Sequence, residues 1–249
     1  MTAMPRGGSR GPFGPDALVL GVKTRPWRME GETESACADE EFRALRPDIL
    51  ERDGHACVFC GFRAGKWQEV HHLDGDHRNN DRANLVTACP YCHAVFHVGL
   101  AGRRGAFLAH LPEVSQAMVS HLWRAVAVAR SWHGSDGRQT RRLRDASRRM
   151  EDFLRARASH AAALLGTSDP AVLGEALLEC ARLTRTPPTD GDALLRSVRL
   201  VPPGEEAGFG NPRMIEYYLS SEGPFREGAL GPRTWEALWR EWRARAGGG

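Results

Sequence analysis

The sequence predicts an α+β fold: a small core of short extended segments up to residue 105, then a mostly helical extension. Three observations predict it. Four cysteines form two CxxC pairs, at 57, 60, 89 and 92. Short extended runs rich in branched and aromatic residues lie around those pairs. From residue 111 onward, apolar residues recur at helical spacing. Residues 1–16 form a Gly/Pro-rich lead with a flexible composition, 17–105 the metal-binding core, and 106–249 the helical extension.

Each element follows from a local signal. ALVLGVK (17–23) reads as a short strand. DEEFRALRPDILERDG (39–54) reads as a helix that tolerates Pro47 and stops at Gly54. CVFCGF (57–62) and KWQEVHHLD (66–74) are two candidate strands around a Gly-containing turn. Residues 84–100 begin extended and become helical after Pro90. In 111–132, Val114, Met118, Leu122 and Val126 make an apolar stripe with Trp123 beside it. Pro112 and Glu113 suit its first turn. GSDGRQ (134–139) reads as a linker. The following arginine-rich helix carries Leu143, Met150, Phe153 and Leu154 on one side. Residues 170–185 form a further helix, 194–204 a strand ending at prolines, and RMIEYYLSS and PRTWEALWREWRARA two last helices. Trp235, Leu238 and Trp242 share one stripe there, as core or as an anchor for a partner.

Composition narrows the class. Hydrophobic residues make up 41% of 249, enough for a globular core. The net charge of +3, from 34 basic and 31 acidic residues, does not mark a nucleic-acid binder. No run of about 18 apolar residues predicts a membrane span, and the N-terminus has no apolar signal core. A cytoplasmic location is the expectation.

The chemistry concentrates between residues 57 and 97. Without a secretion signal, paired CxxC motifs read as metal ligands rather than disulfides. The spacing C-x2-C-x28-C-x2-C lets Cys57, Cys60, Cys89 and Cys92 close a tetrahedral, structural zinc site. The other reading is two buried or reactive pairs. Five of the ten histidines lie from His71 to His97. His71 and His72 are adjacent, so a strand sends them to opposite faces. His93 and His97 share a helical face. His71, His93 and His97 could converge on a second divalent ion: zinc or a similar transition metal, magnesium preferring oxygen ligands. His72 would then activate a water beside a phosphate. Asp74, Asp76 and Asn84 could orient the loop or the base. The alternative is a geometry kept only for hydrogen bonding. His77 reads as a loop residue, and His110, His121, His133 and His160 as surface or packing residues. The arginine run offers phosphate contact or, more plainly, a solvated face with i, i+4 partners.

ERDGHACVFCGF, VHHLDGDHRNN and NLVTACPYCHAVFH, in that order, resemble the HNH (ββα-metal) nuclease family in its zinc-knuckle form. The resemblance implies His72 as general base, His71, His93 and His97 as catalytic metal ligands for Mg, Mn, Ni or Zn, and Asn84 as the loop's brace. Over a wider span, LVLGVKTRPWR, LPEVSQAMVSHLW, SRRMEDFLRARA and LLRSVRLVPPGEEAGFGNPRMIEYY are similar to the IcmJ/DotN family of type IVB (Dot/Icm) secretion proteins. That resemblance implies a zinc-bearing, HNH-like subunit of a coupling complex that gathers effector proteins at a coupling ATPase on the inner membrane. It implies docking to that ATPase and its adaptors, with DNA as partner only if the nuclease chemistry is retained.

Overall fold

The computed structural model describes residues 18, 20–21, 33–133, 136–184, 193–202 and 212–225. The strand expected over 17–23 falls mostly outside them, as do the lead, residues 134–135 of the expected linker and the Trp235, Leu238 and Trp242 stripe. The architecture is α+β, two small antiparallel sheets among helices.

Helix α1 (Thr33–Arg52) runs through Pro47 and ends where two residues in succession take the left-handed region, Gly54 (φ 59°) and His55 (φ 53°). His55 N–H closes the end on Leu50 O. The stop expected at Gly54 therefore needs a second left-handed residue, one with a side chain.

Strands β1 (Glu69–His72) and β2 (Leu85–Ala88) pair antiparallel, His71 opposite Val86 and His72 opposite Leu85. One face of this ribbon rests on α1 through Ile49, Leu50, Val70 and Leu85, with Phe42 and Leu45 at the edge. The expected strand at 57–62 is instead a tight turn. Gly61 (φ 74°) donates to Cys57 O, and Cys57 N–H donates to Phe62 O. An extended segment would send Cys57 and Cys60 apart, whereas the turn points both thiols at one centre.

After β2 the chain turns helical at Pro90 as predicted. It forms α2 (Pro90–His93), a 3-10 turn (Ala94–His97) and α3 (Val98–Arg103). Strand β3 (Phe107–His110) has no signal in the sequence, since four residues carry too little periodicity. Helix α4 (Gln116–Arg130) starts later than expected, because the Ser115 side chain accepts from Met118 N–H and caps it there. Pro112 and Glu113 precede the helix, and Glu113 pairs with Arg157 at 3.1 Å.

The 134–139 stretch is only partly a linker. Asp136 accepts from the N–H groups of Arg138 and Gln139 and caps α5 (Gly137–Leu165). Helix α6 (Pro170–Thr184) packs on α3. Residues 193–197 form α7 (Ala193–Ser197), so the strand predicted over 194–204 is only β4 (Val198–Val201), paired antiparallel to β3. Helix α8 (Pro212–Leu219) packs against α4. One buried apolar cluster runs from Leu18 through Cys57, Cys89 and Cys92 to Trp123, Leu154, Leu200, Tyr218 and Phe225. The cysteine turns and the helical extension thus share a core.

Candidate metal centre

Two turns build the centre. The first, 57–61, follows α1; the second is the β2-to-α2 junction, where Cys89 precedes the helix and Pro90 opens it. Gln68, buried between them, donates through Nε2 to His55 O and Phe62 O, both at 2.8 Å, and fixes the first turn against β1. The ligand atoms of Cys57, Cys60, Cys89 and Cys92 all lie within 4.8 Å of one another, with Cys57, Cys89 and Cys92 buried. Cys60 Sγ and Cys89 Sγ stand 3.8 Å apart. A tetrahedral zinc with bonds of about 2.3 Å has S–S edges of about 3.8 Å. The donor set and its spacing therefore suit a closed tetrathiolate site. Such a site leaves no open coordination position, so its chemistry is structural.

The electrostatics suit thiolates. Hydrogen bonds from Cys57, Cys89 and Cys92 hold the Cys60 thiol well below its ordinary range. Burial pushes Cys89 well above it, so without metal the four sulfurs share their protons unequally. A residue that the sequence did not single out faces them. Arg124 of α4, 1% exposed, donates through Nη2 to Cys89 Sγ at 2.9 Å and lies 3.9 Å from Cys60 Sγ. Its Nη1 meets His121 Nδ1 at 3.0 Å, and His121 Nε2 meets Cys60 O at 2.8 Å. His121, read as a surface or packing residue, therefore ties α4 to the first turn. Neither residue has a sequence signal, since both lie about 30 positions or more from the cysteines they serve.

The histidines divide as adjacency on a strand requires. His71 faces α2 and the 3-10 turn after it: its ring stacks on Phe96 at 4.1 Å and lies 5.2 Å from His93. His93 Nε2 and His97 Nε2 are 3.3 Å apart, while His93 Nδ1 is hydrogen-bonded to Glu69. The expected convergence is thus partial. Among the described residues, only the four cysteines bring three or more His, Cys, Asp or Glu ligand atoms within 4.8 Å of one another. His71 is instead stacked on Phe96, and His93 Nδ1 is engaged by the Glu69 carboxylate. His72 faces α1. It is 2% exposed, stacks on Phe42 at 5.0 Å, and its Nε2 meets Asn80 Oδ1 at 3.1 Å. Asn80 in turn donates to Glu41 at 3.0 Å.

Asn84 spans the loop between the strands. Its Oδ1 accepts from Asp74 N–H, and its Nδ2 donates to Asp74 Oδ1 and Asn79 O. Asp76 pairs with Arg78, which lowers its carboxyl to about 2. His77 packs 4.9 Å from His72.

Comparison with known proteins adds one relative. The type 4 apparatus protein DotN of Legionella pneumophila subsp. pneumophila is 32% identical over 169 residues, covering 65% of this chain and 73% of that protein. This chain belongs to the DotN (IcmJ) family. No family model matches it. As a DotN-family chain it carries the four-cysteine cluster inside its core, and no helix among the described residues is long and apolar enough to cross a membrane.

Proposed function

We propose that this chain is a zinc-binding, HNH-like adaptor subunit of a type IVB secretion coupling complex that docks to the coupling ATPase. The observation that carries the reading is the buried four-cysteine cluster embedded in one core with the helical extension, in a chain of the DotN family. A closed tetrathiolate supplies rigidity, not turnover, which is what a docking module needs. The order β1, β2, α2, with His71 and His72 on β1, His93 on α2 and His97 on the turn after it, supports the HNH-like part of the reading. On this reading residues 17–105 are the rigid zinc core and 106–249 the docking region. The chain works in the cytoplasm and reaches the inner membrane only through its partners. The test is pull-down of the coupling ATPase's cytoplasmic tail with folded, zinc-loaded protein. Retention of the tail supports the reading, and absence of any association with the tail or its adaptors overturns it.

One observation favours a second reading, a metal-dependent HNH endonuclease. The rings of His71, His93 and His97 form a chain of contacts at 5.2 and 4.7 Å. Against it, His72 is buried and engaged with Asn80, whereas a general base must reach a water beside the phosphate. Plasmid cleavage with magnesium, manganese, nickel or zinc, abolished by His72→Ala, would establish it. Failure with all four metals, or cleavage that survives the substitution, would remove it.

A further inference from the structure

We propose that Arg124 is the cationic positioning residue of the four-cysteine centre and makes the seating of α4 depend on the metal. The proposal rests on the zinc reading above. Arg124 is among the largest fully buried side chains of the protein. A guanidinium keeps its charge at any physiological pH, and a buried charge persists only when something opposite in sign compensates it. The donors of Arg124 that have partners go to Cys89 Sγ and His121 Nδ1, with Cys60 Sγ next in reach. Its Nε has no hydrogen-bond partner among the described residues. The compensating charge is therefore the sulfur cluster.

The charges account for the pairing. One Zn2+ and four thiolates sum to −2, and one guanidinium brings the buried unit to −1. Without metal, nothing holds the sulfurs of the two turns together opposite the guanidinium, and the buried cation of α4 loses its fixed acceptors. Two aromatic rings contact the guanidinium as well: its carbon lies 3.7 Å from the Phe62 ring centroid and 5.2 Å from that of Tyr91. Phe62 belongs to the first turn and Tyr91 to the second, so the side chain of α4 is clamped by both halves of the centre. His121 adds a tie one turn away. It accepts from Arg124 at Nδ1, which leaves Nε2 as the donor to Cys60 O.

The experiment compares full-length wild type with Arg124→Met and Arg124→Lys. Each is tested for zinc content, for zinc transfer to a chromogenic chelator, and for its spectrum after substitution with cobalt(II). Wild type should hold about one zinc. Arg124→Met should lose zinc affinity by roughly 10- to 100-fold. Its sulfur-to-cobalt charge-transfer band should move to lower energy, since a thiolate without its hydrogen bond is easier to oxidise. Arg124→Lys should recover part of both. Unchanged affinity with an unchanged band overturns the proposal. A wild type that binds neither zinc nor tetrahedral cobalt defeats the zinc reading itself, which is a separate result. Should Arg124→Met not fold, amide exchange on wild type with and without chelator decides. Protection lost across 119–126 supports the proposal, and loss confined to 57–62 and 89–92 overturns it.

Discussion

Asp53 shows how much one side chain at a helix end can hold. Its carboxylate takes the Thr87 backbone N–H at 2.8 Å and pairs with Arg52, while Arg52 also donates to Leu85 O. Partial burial works against the charge, but Arg52 and Thr87 outweigh it, and the carboxyl is held below its ordinary range. A carboxyl lowered on folding stabilises the protein above its unfolded value of about 4, and that contribution disappears as pH falls through the folded value. Asp53→Asn should therefore lower the melting temperature at neutral pH and flatten the stability loss below about pH 4. Thermal denaturation across pH 2–7 measures both. Tyr218 predicts the reverse kind of outcome. Its ring is fully buried against Phe62 at 5.3 Å, but its hydroxyl has no hydrogen-bond partner among the described residues, and burial pushes the phenol up. Tyr218→Phe should be neutral or stabilising, within about 1 kcal/mol. Denaturant unfolding checks this.

At the same scale the four cysteines were legible because a metal site forces ligand type and local spacing into the sequence. His71 and His72 were legible as a pair that a strand must split. Arg124 and His121 were not, since their role is created by α4 lying across the two turns, and no local pattern encodes that crossing. The engagement of His72 with Asn80 and Glu41 was equally hidden, because Glu41 arrives from a helix some thirty residues earlier.

Among elements, α4, α5 and α6 were readable from apolar periodicity, and their ends from caps only once the caps are seen. Ser115 moved the start of α4 past Pro112, and Asp136 began α5 inside what composition marks as a loop. Strands β3 and β4 show the limit. Each has four residues, and β4 is held by α4 as well as by β3. Gln116, 4% exposed, donates to Leu200 O and accepts from Leu200 N–H, both at 2.8 Å, and so acts as a further strand position beside β4. Gln116→Ala leaves a buried N–H and C=O without partners and should cost roughly 2–4 kcal/mol, read as a drop in the unfolding midpoint. Helices α3 and α6 meet at another constrained point. A Cβ on Gly102 would lie 2.2 Å from Ala171 N, a backbone atom that cannot step aside. Gly102→Val should separate the two helices and destabilise by about 1–3 kcal/mol. Amide exchange in α6 would rise before that in α5.

For the molecule as a whole, the decisive fact is that the cysteine centre and the extension are not separable layers. Cys57, Cys89 and Cys92 belong to the same buried cluster as Trp123, Leu154 and Tyr218. Metal-binding energy in such a site is folding energy. Chelation, or Cys92→Ser, should thus lower the melting of the entire chain in one transition rather than release a local loop. Calorimetry with and without chelator distinguishes the two. The arginine-rich face of α5 is largely a solvated surface at this scale. Arg155 and Arg130 share Glu151, and Arg148 reaches Asp145.

The pairing of β3 with β4 has one more consequence, for the order in which the chain is made. Gln116 and Leu200 are 84 residues apart in the chain. While the ribosome is still producing α5 and α6, β3 has no neighbour and its edge is open. The cysteine turns are translated by residue 92, but the core that they share with Trp123, Leu154 and Tyr218 still lacks its later members. The nascent chain therefore carries an incomplete core and a waiting strand until residue 201 emerges. A truncation anywhere between 110 and 197 leaves that strand waiting permanently, as an adhesive edge rather than a shortened protein.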